Sequence, residues 1–249
     1  MALREELEAQ GSWLFKWRSY LPFLISPVLF IALRSSGSLE KIIGHIATDI
    51  YDIACIIISL VGLCIRCITI GYVLDGTSGR NTKGQRAETL NTTGMYSIVR
   101  HPLYLGNFFI SIGLALFIQV WWFVIIIALV FWLYYERIMF VEEEFLRRKF
   151  GTLYLRWAEK TPAFIPSLRL WQHPYISFSF GYALMREYPT LFGIITSYIL
   201  LYVVESAFTK GGFRLEPLWI ILFLANFSIF LTLRILKKRT SLLCARRGA

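Results

Sequence analysis

The chain has 249 residues, 56% of them apolar and 17% charged, and a formal net charge of +10. That apolar share exceeds the roughly 45–50% of a soluble domain. It gathers into runs near the ~20 residues that cross a bilayer, which excludes a water-soluble globule and predicts an all-α, multi-pass membrane bundle. The basic excess is not interleaved with aromatic residues as in a reader of RNA or DNA, so nucleic acid is excluded as the partner, and the charge belongs with anionic lipid.

In chain order, the acidic opening MALREELEAQ lacks the basic region and cleavage site of a secretory signal and predicts a short interfacial helix. Ser19 to Leu33 reads as a first span broken by Pro22 and Pro27, and Ile50 to Leu74 as a second, with Cys55, Cys64 and Cys67 as apolar thiols. The nearly charge-free run from Leu103 to Tyr135 would be about 50 Å long as one helix. That overshoots a hydrocarbon core of ~30 Å, so the run predicts a hairpin turning near Gln119. Thr190 to Phe208 and Pro217 to Leu236 bring the expectation to about six spans. Within them Asp52 and Glu205 fall near span ends, whereas Arg66 requires a buried partner.

Segments 1–19, 75–102, 136–188 and 237–249 carry 20 Lys and Arg, against Arg34, Lys41, Lys210 and Arg214 in the opposite loops. This asymmetry predicts both termini in the cytoplasm, for a protein of the bacterial inner membrane or the endoplasmic reticulum. The chain is expected to form one membrane domain over 1–249. Within it, 1–87 holds the N-terminal spans and a basic loop, 88–166 a core bearing the motifs, and 167–249 the C-terminal spans and basic tail.

Two stretches carry chemistry. In YSIVRHPLYLGNFF (Tyr96 to Phe109), Pro102 suits the first position of a helix, and His101 before it is pushed out of the helical region. The span therefore starts here, with unpaired N–H groups and a positive dipole end that suit an anion such as a carboxylate. Gly106, one turn on, permits close approach to the helix, and His101 and Tyr104 supply hydrogen bonds or a stacking face. The second stretch, Glu136 to Pro166, leaves the fourth span as an amphipathic helix and opens on Glu142, Glu143 and Glu144. Acidic groups beside anionic lipid are unfavourable unless a cation or hydroxyls satisfy them. An anion site beside a carboxylate cluster suits a zwitterionic cofactor bearing a ribose, such as S-adenosylmethionine.

At these residues the chain resembles the isoprenylcysteine carboxyl methyltransferase and phospholipid methyltransferase family of integral membrane enzymes. The likeness runs from about Glu88 to Pro166. It rests on Arg100-His101-Pro102-Leu103-Tyr104-Leu105-Gly106, on Thr93-Gly94-Met95-Tyr96, and on Glu142-Glu143 followed by Leu146, Phe150-Gly151 and Tyr154. The resemblance implies that S-adenosylmethionine contacts Glu88, Thr89, Leu90, Asn91, Tyr96, His101, Pro102, Leu103, Tyr104, Gly106, Glu142 and Glu143. It implies a catalytic arginine that engages the acceptor, for which Arg137 is the match, one residue further from the glutamate pair than in the carboxyl methyltransferases. It implies a lipid or lipidated substrate and no metal.

Methyl transfer from a sulfonium asks the protein mainly to align the reactants and exclude water. An anionic acceptor needs only positioning by arginine or lysine, whereas an amine also needs a base. With Arg80, Lys83 and Arg86 as a headgroup clamp, the reading is O-methylation of a lipid phosphate, such as that of lipid A, or of a prenylcysteine carboxylate. The alternatives are phospholipid N-methylation, an NADPH-dependent sterol-type reductase on a similar helical core, and a non-catalytic scaffold or transporter using Asp52, Arg66 and Glu205.

Overall fold

The structure is a computed structural model that describes residues 2–18, 20–36, 42, 44–74, 87–209 and 217–239. These residues form helices and connecting turns, with no strand among them. Helix α1 (Leu3–Trp17) is followed by a 3₁₀ turn (Leu21–Ile25) that runs into α2 (Ser26–Arg34). Then come α3 (His45–Gly71), the single turn α4 (Met95–Ile98), α5 (Pro102–Phe117) and α6 (Trp121–Phe150). The short α7 (Thr152–Ala158), α8 (Phe180–Thr209) and α9 (Pro217–Arg239) follow. Four helices, α3, α6, α8 and α9, are long and apolar enough to cross a bilayer, and α5 and the stretch Phe23–Arg34 are shorter apolar helices. The six expected spans are thus present as four long helices and two short ones.

The expected hairpin forms between α5 and α6. Gln119 takes a positive φ of 63° at the turn, and its side chain donates to Asp52 Oδ1 at 3.1 Å. That bond gives Asp52 a partner at the end of the bundle opposite the motifs. Two boundaries differ from the sequence reading. Helix α3 begins at His45, five residues before Ile50, and α8 begins at Phe180, ten residues before Thr190. Pro189, which reads as a helix boundary, lies inside α8. Proline cannot donate to the carbonyl four residues back, here that of Met185, which is buried. Lys237 of α9 supplies the missing donor, its Nζ lying 3.1 Å from the Met185 oxygen.

Small residues let α3 and α5 approach closely, as they do between membrane helices generally. A Cβ on Gly106 would stand 2.5 Å from Arg66 Cγ and 2.7 Å from the Gly62 carbonyl oxygen. Gly106, expected to admit a ligand to the helix, therefore admits α3. The same crossing is tied by Tyr198 of α8, whose hydroxyl donates to the Cys55 carbonyl at 2.8 Å and lies 2.8 Å from Ser59 Oγ. Ala32, Leu33, Cys55, Ala115, Phe117, Phe123, Ile194 and Tyr198 form the apolar core around it.

At one end of the bundle the C-terminus of α3 meets the start of α8, where Ser179 N–H donates to the Gly71 carbonyl at 2.9 Å. The start of α5 and the end of α6 lie here, and α1 packs on the latter. Arg4 pairs with Glu144, and Arg148 with Glu8 at 2.6 Å. The N-terminal helix, both motifs and the end of α9 therefore share one end.

The proline–lysine pairing has a direct test. Lys237→Met should lower the thermal midpoint in detergent, because an unpaired buried carbonyl costs about 1–3 kcal/mol. In a Pro189→Ala background the same change should cost little, since the alanine N–H restores the helical donor. Equal losses in both backgrounds would contradict the pairing.

Candidate functional site

The first motif is shaped by its turns. Gly94 sits at φ 61°, a conformation that favours glycine, and its N–H donates to the Gln172 carbonyl at 3.0 Å. The turn α4 then ends in extended Val99. His101 stays out of the helix at φ −123°, ψ 62°, and Pro102 opens α5. The His101 carbonyl accepts from both Tyr104 and Leu105 N–H at 3.1 Å. Since Pro102 has no N–H, the first turn offers a ligand chiefly the Leu103 N–H.

The second motif comes down on the first. Helix α6 is 30 residues long, about 45 Å, so its last turns project beyond its apolar part and carry Glu142 and Glu143 against the start of α5. Tyr104 hydroxyl donates to Glu142 Oε1 at 2.5 Å. Glu143 Oε2 accepts from Arg100 Nη1 at 2.6 Å, and Glu143 Oε1 lies 2.9 Å from His101 Nε2. Glu142 Oε2, 3.7 Å from His101 Nδ1, is too far for a hydrogen bond and keeps acceptor capacity. The rings of His101 and Tyr104 stack at 5.8 Å. Helix α7 and the chain after it close the site: Trp157 Nε1 of α7 donates to the Tyr96 carbonyl, and Arg100 N–H donates to the Pro162 carbonyl beyond it.

His101 is buried, which alone disfavours its charged form, but the hydrogen bond to Glu143 and the negative charges of Glu142 and Glu143 outweigh burial and raise its pKa. The donor set suits a zwitterion. Arg100 Nε and the Tyr154 hydroxyl are buried without a hydrogen-bond partner, and Tyr154 feels the charges of both Arg100 and Glu143. These donors, which could turn to a carboxylate, lie by Glu143, next in sequence to Glu142, whose spare oxygen suits an ammonium or a ribose hydroxyl.

The sequence-derived residues fall into groups. His101, Pro102, Leu103, Tyr104, Glu142 and Glu143 come together, with Tyr96 one turn away under Trp157. Glu88 and Thr89 are exposed, and Leu90 and Asn91 half-buried, in the irregular segment leading to α4. Gly106 faces α3. Arg137 is not brought to the junction: its Nε donates to Gln10 and its Nη1 to the Leu133 carbonyl, at 3.0 and 2.8 Å. It lines a groove of about 520 Å³ with Ala9, Gln10, Trp13 and Leu14, on the side of α6 that faces α1. Arg80, Lys83 and Arg86 lie outside the described residues.

Sequence reasoning misses Arg100 as a partner of Glu143. It also misses Asn107 and Tyr135, whose Nδ2 and hydroxyl meet at 3.0 Å beside Tyr104. Asn107 is findable as the only side-chain amide besides Gln119 in the run 103–135. Among the described residues no three His, Cys, Asp or Glu side chains gather as metal ligands would.

A family model described as phospholipid methyltransferase matches residues 52–153, which takes in α5, most of α3 and the whole junction. The protein-S-isoprenylcysteine O-methyltransferase of Schizosaccharomyces pombe is 31% identical over 85 residues, 34% of this chain and 36% of that protein. Over residues 52–153 the chain is therefore similar to this membrane methyltransferase family. The cobalt-zinc-cadmium resistance protein of Cupriavidus metallidurans is 28% identical over 156 residues, 63% of this chain and 64% of that protein. The nickel-cobalt-cadmium resistance protein of Alcaligenes xylosoxydans is 38% identical over 89 residues, 36% of this chain and 41% of that protein. The chain thus spans less than two thirds of the length of these relatives. No solved structure matches at a significant level. Within the family core, the matched segment ends at residue 153, just after Glu142 and Glu143, so both halves of the junction lie inside it.

The raised His101 pKa sets a pH dependence. The folded protein holds the proton more tightly than the unfolded chain, so the His101–Glu143 pair stabilises the fold fully below the ordinary value of 6.5. Its contribution fades as pH rises through the higher folded value. Thermal midpoints of the wild type should fall over that interval, and His101→Gln should flatten the profile. A wild-type midpoint that climbs there would contradict the pairing.

Proposed function

We propose that this protein is an S-adenosylmethionine-dependent methyltransferase that methylates an oxygen of an anionic lipid or lipid-linked acceptor, with its site facing the cytoplasm. The observation that carries the reading is the junction itself, Tyr104 against Glu142 and His101 against Glu143, which joins both family motifs at one end of the bundle. When bound, the cofactor would supply an electrophilic methyl on its sulfonium, and S-adenosylhomocysteine would leave as the S–CH3 bond gives way to a bond to the acceptor oxygen. Arg100, Tyr154 and the Leu103 N–H would hold its carboxylate, Glu142 its ammonium or ribose, and Tyr96 and Tyr104 would wall the site.

The acceptor follows from proton inventory. Both ring nitrogens of His101 already face glutamate oxygens, Glu143 at 2.9 Å and Glu142 at 3.7 Å, so His101 is not the base we would assign to an amine. An anionic oxygen requires no base, only donors and positive charge. Arg18 is within electrostatic reach of Tyr104, Tyr134 and Tyr135, which favours such a group. Arg137 fits this scheme as the clamp that holds α1 on α6. The basic loop with Arg80, Lys83 and Arg86 enters it on sequence alone, as a headgroup clamp.

Purified protein given methyl-labelled S-adenosylmethionine should pass label to N-acetyl-S-farnesylcysteine or to phosphatidic acid, and not to phosphatidylethanolamine. Label on the amine would overturn the oxygen assignment. Tyr104→Phe and Glu142→Ala should each weaken cofactor binding by about 10- to 150-fold, the worth of one charge-assisted hydrogen bond. Arg137→Lys should keep most turnover, because an ammonium can serve Gln10 and a carbonyl equally well.

A further inference from the structure

The bundle contains a polar chain that no part of the reaction yet uses. Arg66 of α3 and Glu187 of α8 are buried and form a bidentate pair, Nε to Oε2 at 2.7 Å and Nη2 to Oε1 at 2.8 Å. The third guanidinium nitrogen, Nη1, donates to Asn107 Oδ1 of α5 at 2.6 Å. An intramembrane ion pair is costly to keep, and one that also spends a hydrogen bond on an amide points to a task beyond pairing.

The chemistry of the chain runs in one direction. Guanidinium has donors only, so Asn107 must present its carbonyl oxygen to Arg66 and its NH₂ to Tyr135. Tyr135 oxygen therefore accepts, at 3.0 Å, and its own proton must point elsewhere. The Tyr135 ring leans on Tyr104 at 4.7 Å, and the Tyr104 hydroxyl is already committed to Glu142. The Tyr135 proton is thus delivered at the junction without an acceptor among the described side chains.

Its depth says which ligand it faces. Tyr135 precedes Glu142 by seven residues on α6, about 10 Å along the axis, towards the apolar part of the helix. A water-soluble cofactor enters by Glu142 and the loops, while a lipid-borne group comes from the apolar side. We infer that Tyr135 is a specificity-determining residue, whose hydroxyl donates to an anionic oxygen of the methyl acceptor. Glu187, Arg66 and Asn107 are the positioning residues that hold its proton in that direction. This rests on the methyltransferase reading and deepens it, because a site lined by a forced donor selects a carboxylate or phosphate oxygen over an ammonium.

The test measures binding to the protein saturated with S-adenosylhomocysteine, with N-acetyl-S-farnesylcysteine, its methyl ester, phosphatidic acid and phosphatidylethanolamine as probes. Wild type should bind the acids in preference to the ester and the amine lipid. Tyr135→Phe should weaken the acids by about 10-fold or more, the scale of a charge-assisted bond, with ester and S-adenosylhomocysteine affinities unchanged. Asn107→Asp reverses the chain, because a carboxylate accepts the Tyr135 proton. It should cost the acids as much as Tyr135→Phe does, and the double variant should be no worse than either. A merely structural chain would show additive losses and lower cofactor affinity. Unchanged acid binding in Tyr135→Phe, additive losses, or a wild-type preference for the amine lipid would overturn this inference while leaving the methyltransferase reading in place. Failure of wild type to bind S-adenosylhomocysteine would remove that reading, and this one with it.

Discussion

Two adjacent carboxylates, Glu142 and Glu143, stand against the start of a membrane helix, and that position is tolerable only because α5 meets each with its own partners. Taking a carboxylate out of water costs several kcal/mol unless charge and hydrogen bonds replace the solvent. Tyr104 serves one, and Arg100 with His101 serves the other. The pairing fixes the rotation of α6 against α5, and with it everything the site contains. It also explains why an arginine, a histidine and a proline cluster at the mouth of an apolar run: proline starts the helix on time, and the arginine and histidine face the carboxylates arriving from the next helix.

The rest of the bundle keeps that junction in register. Helix α5 can only present Tyr104 and Asn107 correctly if it lies close to α3, and Gly62 and Gly106 remove the side chains that would separate them. Tyr198 and the Arg66–Glu187 pair then bind α8 to the same crossing. Polar contacts carry much of this burden because apolar surface gives no preference for one neighbour over another in lipid, where hydrocarbon solvates leucine as well as a helix does. Rigid placement of the carboxylates is what a transfer reaction requires, since the protein's contribution is alignment more than chemistry.

Much of this is legible in the chain. Run lengths give the helices, because an uncharged stretch in a bilayer must satisfy its backbone internally, and the hairpin at Gln119 follows from length alone. The motifs name His101, Tyr104 and Glu142 as neighbours, and they are. What sequence does not reveal is anything set by a distant partner. Arg66 visibly needs a counter-ion, but Glu187 reads as part of a loop because Pro189 reads as a helix boundary. The donor that lets proline sit inside α8 comes from Lys237, about 50 residues away. Gly106 reads as a ligand contact because spacing cannot reveal which face of α5 turns to α3. Arg137 reads as an acceptor contact by counting along one helix, where the deciding contact is with Gln10 on α1.

Hydrogen–deuterium exchange with S-adenosylhomocysteine tests the central claim, that both motifs form one cofactor site. Protection should appear together in peptides covering 96–109 and 136–157, with α9 unchanged. Protection confined to one motif, or centred on the groove beside Arg137, would contradict it.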